Sequence, residues 1–246
     1  MKDAETELGG LAGQFPSTAW TLLRNARTQG PRARAEALQP LVEIYWKPVY
    51  FLIRHAWKKS NEEAKDLTQE FFLRMVLEAG LLEKYVPARG GFRPFLKASV
   101  LNFLRDDAKT AGAQKRGGGA LHLRFPAEGD GDVEIPEAAS MGPEQLFDAA
   151  WKQTVLSRAV ARVSERLRAA GKEKALEAFR LYDLEPEGPG VSYESVSAKL
   201  GMTREAVKEA LKLARAELRA AVLDVVAEGA ESQEDLYRDV EELLGG

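Results

Sequence analysis

Three groups of residues in this 246-residue chain, each carrying cations and one of them aromatics as well, have the types and spacing to hold nucleic acid. In the segment Leu81 to Phe92, Lys84, Tyr85, Arg89 and Phe92 combine charge for phosphates with aromatic faces for an unstacked base, the chemistry that single-stranded binding requires. Gly90 and Gly91 let the backbone turn tightly there. In the next helical stretch Asn102, Arg105 and Lys109 fall at i, i+3 and i+7, so one face offers an amide able to read a base edge and two cations for the backbone. A solvated basic face has the same composition, and both readings stand on these residues alone. Further on, Arg204, Lys208, Lys212, Arg215 and Arg219 recur every three or four residues, a stripe able to lie along a major groove.

Helices must carry these residues. Helical periodicity runs over Ala35–Lys58, Asn61–Ala79 and Arg93–Thr110, and again over Glu144–Ala170, Lys172–Asp183, Tyr193–Leu200, Arg204–Glu228 and Gln233–Leu244, with no strand-like alternation competing. Ser60 and Glu63 form a capping box that starts the second helix near Asn61, with Ala64, Leu67, Phe71 and Met75 as its expected core stripe. In the first helix Pro48 is expected to kink or break the chain near Trp46, and Trp46, Trp57 and the tyrosines read as core. Tyr193, Val196 and Leu200 line one side of a short helix, Gly201 closes a tight turn, and Thr203 stands as N-cap of a helix that buries Val207, Leu211, Ala214 and Leu218. That order is a helix-turn-helix. Between the two sets of helices, residues 126–143 (PAEGDGDVEIPEAASMGP) replace any hydrophobic period with proline, glycine and acids. The expected fold is therefore all-α: an N-terminal extension over 1–34, a helical domain over 35–125, a flexible acidic linker over 126–143, a helix-turn-helix domain over 144–228 and an acidic C-terminal helix within 229–246.

The string Asp66-Leu67-Thr68-Gln69-Glu70-Phe71-Phe72 resembles the DLxQExF signature in region 2.2 of the sigma-70 family, specifically the extracytoplasmic-function sigma factors. The resemblance continues through YVPARGGFRPFLKASVLNFLRDDAK and GAQKRGGG, and resumes in SYESVSAKLGMTREAVKEALKLARAEL, which looks like the family's region 4 helix-turn-helix. It implies a transcription initiation factor of a divergent branch, with core RNA polymerase and promoter DNA as partners. Asp66, Gln69, Glu70, Phe72 and Leu73 would dock on the β′ clamp helices, and the β flap is the other implied contact on polymerase. Lys84, Tyr85, Arg89, Phe92, Arg93, Asn102, Arg105 and Lys109 would open and read the −10 element. Thr203, Arg204, Lys208, Lys212 and Arg215 would meet the −35 element. Several positions depart from the family pattern. Ala210 and Leu213 replace expected cations and Glu209 is acidic, so the recognition helix alone should hold DNA weakly. Lys65 stands where many members have an acid, and phosphorylation of Thr68 by a Ser/Thr kinase would restore that negative charge, adding roughly −2. An anti-sigma protein is the other regulator the family implies. A DNA-binding regulator or polymerase-binding modulator without promoter-opening activity is the alternative reading, and a purely protein-binding helical scaffold a third.

Other functions find little in the residues. The chain has no cysteine, so thiolate nucleophiles and disulfides are excluded. His55 and His122 are isolated, no HExxH or Gly-x-Ser-x-Gly occurs, and Lys115-Arg116-Gly117-Gly118-Gly119 lacks the strand and the following Gly-Lys-Ser/Thr of a phosphate loop. No enzyme activity, cofactor or metal is expected. No apolar run approaches the roughly 20 residues that span a bilayer, and MKDAETELGG lacks a signal peptide's basic start and apolar stretch, so the expected location is cytoplasmic. Net charge is −3, yet residues 1–125 hold 20 Lys and Arg against 13 Asp and Glu, while residues 126–246 hold 15 against 25. The basic half suits a nucleic-acid surface. In the C-terminal helix Leu236, Val240 and Leu243 or Leu244 share a face, with Glu234, Asp235, Asp239, Glu241 and Glu242 on the remainder. The helix reads either as a cap packed on the second domain or as an inhibitor whose acids cover the basic stripe of the recognition helix.

Overall fold

Proline and caps set the helix starts. The computed structural model describes residues 30–77, 80–110, 140–186, 190–230 and 232–244. Helix α1 spans Pro31–Ala56, with Pro31 in the first turn, where a missing N–H costs nothing. It runs unbroken through Pro40 and Pro48, so the break expected at Trp46 does not occur. Pro48 is buried among fully packed neighbours, Ile44, Val49, Leu52 and Ile53, and that packing outweighs the one lost backbone bond. Trp46 is only partly buried and Trp57 is exposed, so neither is the core residue that its type suggested.

Helix α2 spans Asn61–Leu77 behind its capping box. The Ser60 amide and hydroxyl donate to Glu63 Oε2 at 3.0 and 2.8 Å, and the Glu63 amide donates back to Ser60 Oγ at 3.3 Å. After a single turn, α3 (Gly80–Glu83), and a 3₁₀ turn at Pro87–Arg89, helix α4 covers Phe92–Thr110. Beyond the undescribed segment come α5 (Pro143–Ala169), α6 (Glu173–Phe179, continued by a π turn at Arg180–Leu184), α7 (Tyr193–Leu200), α8 (Arg204–Gly229) and α9 (Gln233–Leu244). The all-α expectation holds, with no strand among the described residues.

The expected linker lies largely outside the described residues, and the helices on its two sides share one apolar core. Helix α5 packs along α1, α8 packs along α5 and reaches α1, and α9 follows α8. Phe147, Trp151, Val155 and Ala159 of α5 are fully buried beside Leu38, Val42, Tyr45 and Val49 of α1. Polar pairs run beside this seam. Arg158, Arg162 and Arg166 lie one turn apart on α5. Arg158 donates to Glu43 of α1 at 2.7 Å and to Glu228 of α8 at 3.1 Å, Arg162 also donates to Glu228, and Arg166 donates to Asp224 at 2.6 Å. No helix among the described residues is long and apolar enough to cross a membrane.

Hydrogen bonds from Ser60, through its hydroxyl and then its amide, hold the Glu63 carboxyl below the usual carboxylate range. Because the folded value is depressed, Glu63 stabilises the fold above the unfolded carboxylate pKa, and that contribution disappears as pH falls through the folded value. Ser60→Ala should lower stability by about 1 kcal/mol in urea unfolding. The gap between wild type and Glu63→Gln should be present at neutral pH and close in acid, read from urea midpoints at both.

Candidate functional site

The outward face of α2 presents Asp66 and Gln69 exposed and Glu70 half-buried, the last joined to Arg74 at 2.9 Å. The inward face is turned slightly from the expected stripe. Ala64, Thr68, Phe71, Phe72 and Met75 are buried, while Leu67 and Leu73 are only partly so. Phe72 is therefore a core residue, 1% exposed and edge-on to Phe71 at 5.6 Å, and not part of a docking face. Thr68 is 0% exposed and its hydroxyl donates to the Ala64 carbonyl at 2.7 Å. A kinase cannot reach it in this conformation; a mid-helix threonine bonded to the i−4 carbonyl is already satisfied.

The segment expected to read single-stranded DNA divides in two. Lys84, Arg89, Asn102 and Arg105 are exposed, with Arg105 donating to Asn102 Oδ1 at 3.0 Å. Tyr85, Phe92 and Arg93 are buried at 7, 3 and 3% exposure, contrary to their expected role as surface contacts. The Lys109 side chain and Lys115 to Gly119 fall outside the described residues. Phe92 packs edge-on to Tyr45 at 5.3 Å and to Tyr85 at 5.4 Å. Helix α9 meets this cluster at the Tyr85 hydroxyl.

Arg93 is the centre of the arrangement. Its guanidinium lies 3.9 Å from the centroid of the Trp151 ring. Its Nε and Nη2 donate to Asp239 Oδ1 at 3.1 and 2.8 Å, and Nη2 donates to Glu242 Oε2 at 2.6 Å. Asp148 stands 3.9 Å from Nη1 and accepts from Lys97 at 3.0 Å. Beside it the Tyr85 hydroxyl donates to Asp235 Oδ2 at 2.8 Å, and Arg238 donates to the other Asp235 oxygen at 2.8 Å. At Gly91 a Cβ would meet Arg238 Nη1 at 2.6 Å, so the Arg238 side chain lies against the turn. Burial pushes Asp239 above the usual carboxylate range against the pull of Arg93. Burial alone would lower Arg93, but Asp239, Tyr45 and Glu242 together hold it above its ordinary value, so it stays charged. The Tyr45 hydroxyl, enclosed next to this group, is raised well above its usual value, by burial first and Asp239 second.

The acids of α9 thus meet Tyr85 and Arg93 and not the stripe of α8. Asp235 and Asp239 are buried, where an outward acidic face was expected. Sequence reasoning missed Trp151, Asp148, Lys97 and Arg238 as members of this site. One signal was present: Asp235, Asp239 and Glu242 fall at i, i+4 and i+7, a stripe adjoining Leu236, Val240 and Leu243.

The helix-turn-helix forms as its caps dictate. Ser192 caps α7, accepting from the Ser195 amide at 3.2 Å; Gly201 adopts φ 59°, ψ 42°; Thr203 caps α8, accepting from the Ala206 amide at 3.1 Å. Val207, Leu211 and Ala214 are buried as expected, joined by Ala210, while Leu218 is only partly buried. Arg204, Lys208 and Lys212 are exposed. Arg204 pairs with Glu194 at 3.1 Å, and Lys208 lies 5.9 Å from the Tyr193 ring centroid. Arg215 is half-buried, chelated by Asp183 from the π turn at 3.0 and 2.8 Å, which raises it above its ordinary value. Tyr182 of the same turn stacks on Tyr193 at 5.0 Å.

His55 stacks on Phe51 at 6.2 Å, and burial, with Arg54 adding, lowers its pKa. His122 lies outside the described residues. Among the described residues no three His, Asp or Glu gather as metal ligands. No protein-family model, curated protein or solved structure matches the chain.

Removing Arg93 strands Asp239 in a buried position without its cation. Arg93→Met should lower stability by about 3 kcal/mol in urea at neutral pH. Adding Asp239→Leu should recover part of that loss, whereas strictly additive effects would show that the two residues do not act as a pair.

Proposed function

We propose that this chain is an RNA polymerase sigma factor of the extracytoplasmic-function type, acting in the cytoplasm. It binds core polymerase through α2, reads the −10 element through the segment from Lys84 to α4, and reads the −35 element through α8. The observation that carries the reading is the division of α2. Its inner face is filled by core packing, while Asp66, Gln69 and Glu70 remain outward as a compact polar surface for a protein partner. The capped helix-turn-helix with exposed Arg204, Lys208 and Lys212 supports a DNA-facing second half. Polymerase performs the catalysis; this chain positions it.

The recognition helix carries Glu205 and Glu209 among its exposed cations, and Arg215 is neutralised by Asp183. Affinity for duplex DNA through this helix alone is then low, and specificity comes from the assembled holoenzyme. A polymerase-binding modulator without promoter opening is favoured by one observation, the burial of Tyr85, Phe92 and Arg93.

Retention on immobilised core RNA polymerase tests the proposal. Wild type should be retained, and Asp66→Arg/Glu70→Arg should lose at least about tenfold in affinity, as expected for charge reversal at an interface, with an unchanged circular dichroism spectrum. Wild type that fails to bind polymerase would overturn the sigma reading.

A further inference from the structure

We propose that α9 is a resident competitor for single-stranded DNA: it occupies the surface of Tyr85, Gly91 and Arg93 and must lift before the −10 strand can bind. The inference rests on the proposed function above, and deepens it by naming how that site is regulated.

Three observations support it independently of one another. The chemistry is matched, because Arg93 is held by two carboxylates, Asp239 and Glu242, as a phosphate would be held, through charge-assisted donation at 2.6 to 3.1 Å. The Tyr85 hydroxyl, at the polar end of a ring that packs on Phe92 and Phe95 of α4, is tied to a third carboxylate, Asp235 of α9. The cations Lys84 and Arg89 and the polar Asn102 and Arg105 of the same segment remain exposed, so the groups that α9 occupies are the ones withdrawn from the surface.

The construction also suits a part that detaches. Helix α9 is 12 residues long and its buried apolar anchors are Leu236 and Val240, with Leu243 partly buried. Much of its remaining hold is the carboxylate set on Arg93 and Tyr85. Carboxylates drawn from water into a buried site recover little net energy beyond their desolvation, and burial does leave Asp239 with a raised pKa. A strand of phosphates supplies the same charges to Arg93, so exchange of one ligand set for the other leaves no buried cation unpaired. Binding is then reduced by the fraction of molecules in which α9 is docked.

The test is fluorescence anisotropy of a labelled single-stranded oligonucleotide at low salt, using full-length protein. Three proteins are compared: wild type, Asp239→Asn/Glu242→Gln, and Glu234→Gln/Glu241→Gln. The last makes the same change in net charge at exposed positions of the same helix. The first double variant should bind about tenfold or more tightly than wild type, the second should match wild type, and adding Lys84→Ala/Arg89→Ala to the first should remove the gain. Equal affinity of wild type and Asp239→Asn/Glu242→Gln would overturn the competitor, and so would an equal gain in the exposed-position control. If no variant binds the strand while wild type is retained by core polymerase, the single-strand surface itself is wrong and the docking face stands. Loss of both would sink the sigma reading together with the competitor.

Discussion

A permanently charged guanidinium with 3% of its surface exposed dictates much of this structure. Arg93 cannot shed its proton at any relevant pH, so the fold must bring partners to it. They come from two directions: Trp151 and Asp148 from α5, and Asp239 and Glu242 from α9. These helices lie far apart in sequence, and one side chain joins both to the start of α4. Tyr45, Tyr85 and Phe92 close the apolar side of the same site.

The charge asymmetry between the halves of the chain acquires a structural meaning from this site. A basic first half and an acidic second half attract, and the ion pairs at this site are of that kind: Arg93 and Lys97 to Asp148, and Arg93 to Asp239 and Glu242. The seam between α1 and α5 adds apolar burial, and Arg158 adds the reverse pairing with Glu43. Surface ion pairs of this type each contribute little. The Arg93–Asp239 pair differs because both groups are enclosed, where leaving one unpaired is costly. It therefore fixes which helices meet more than it raises total stability.

What could be read from the sequence was local. Ser60 with Glu63, Thr203, and the left-handed Gly201 each use a side chain or conformation decided within four residues, and each occurs as expected. Helix positions followed from periodicity for the same reason. Long-range choices were not legible. An aromatic next to an arginine can stack on bases or on tryptophan, and only tertiary contact showed that Tyr85, Phe92 and Arg93 face inward. Thr68 and Phe72 were assigned outward, yet they follow Ala64 at i+4 and i+8, about 40° further round the helix at each step, and α2 is turned so that both face the core. Acids in α9 were assigned to solvent by type, although their spacing already placed three of them on one stripe. Pro48 was overweighted for a similar reason: a rule about one backbone bond gave way to the burial of a whole helix face.

The central claim is that α9 is a separately opening element seated on a buried charge, and native-state hydrogen exchange tests it most directly. Amides of Gln233–Leu244 should exchange through a partial opening, well before those of α1, and Asp239→Asn should speed that opening while leaving the slowest α1 amides unchanged. Exchange of α9 in step with α1, in wild type and variant alike, would contradict the claim and make α9 an inseparable part of the core.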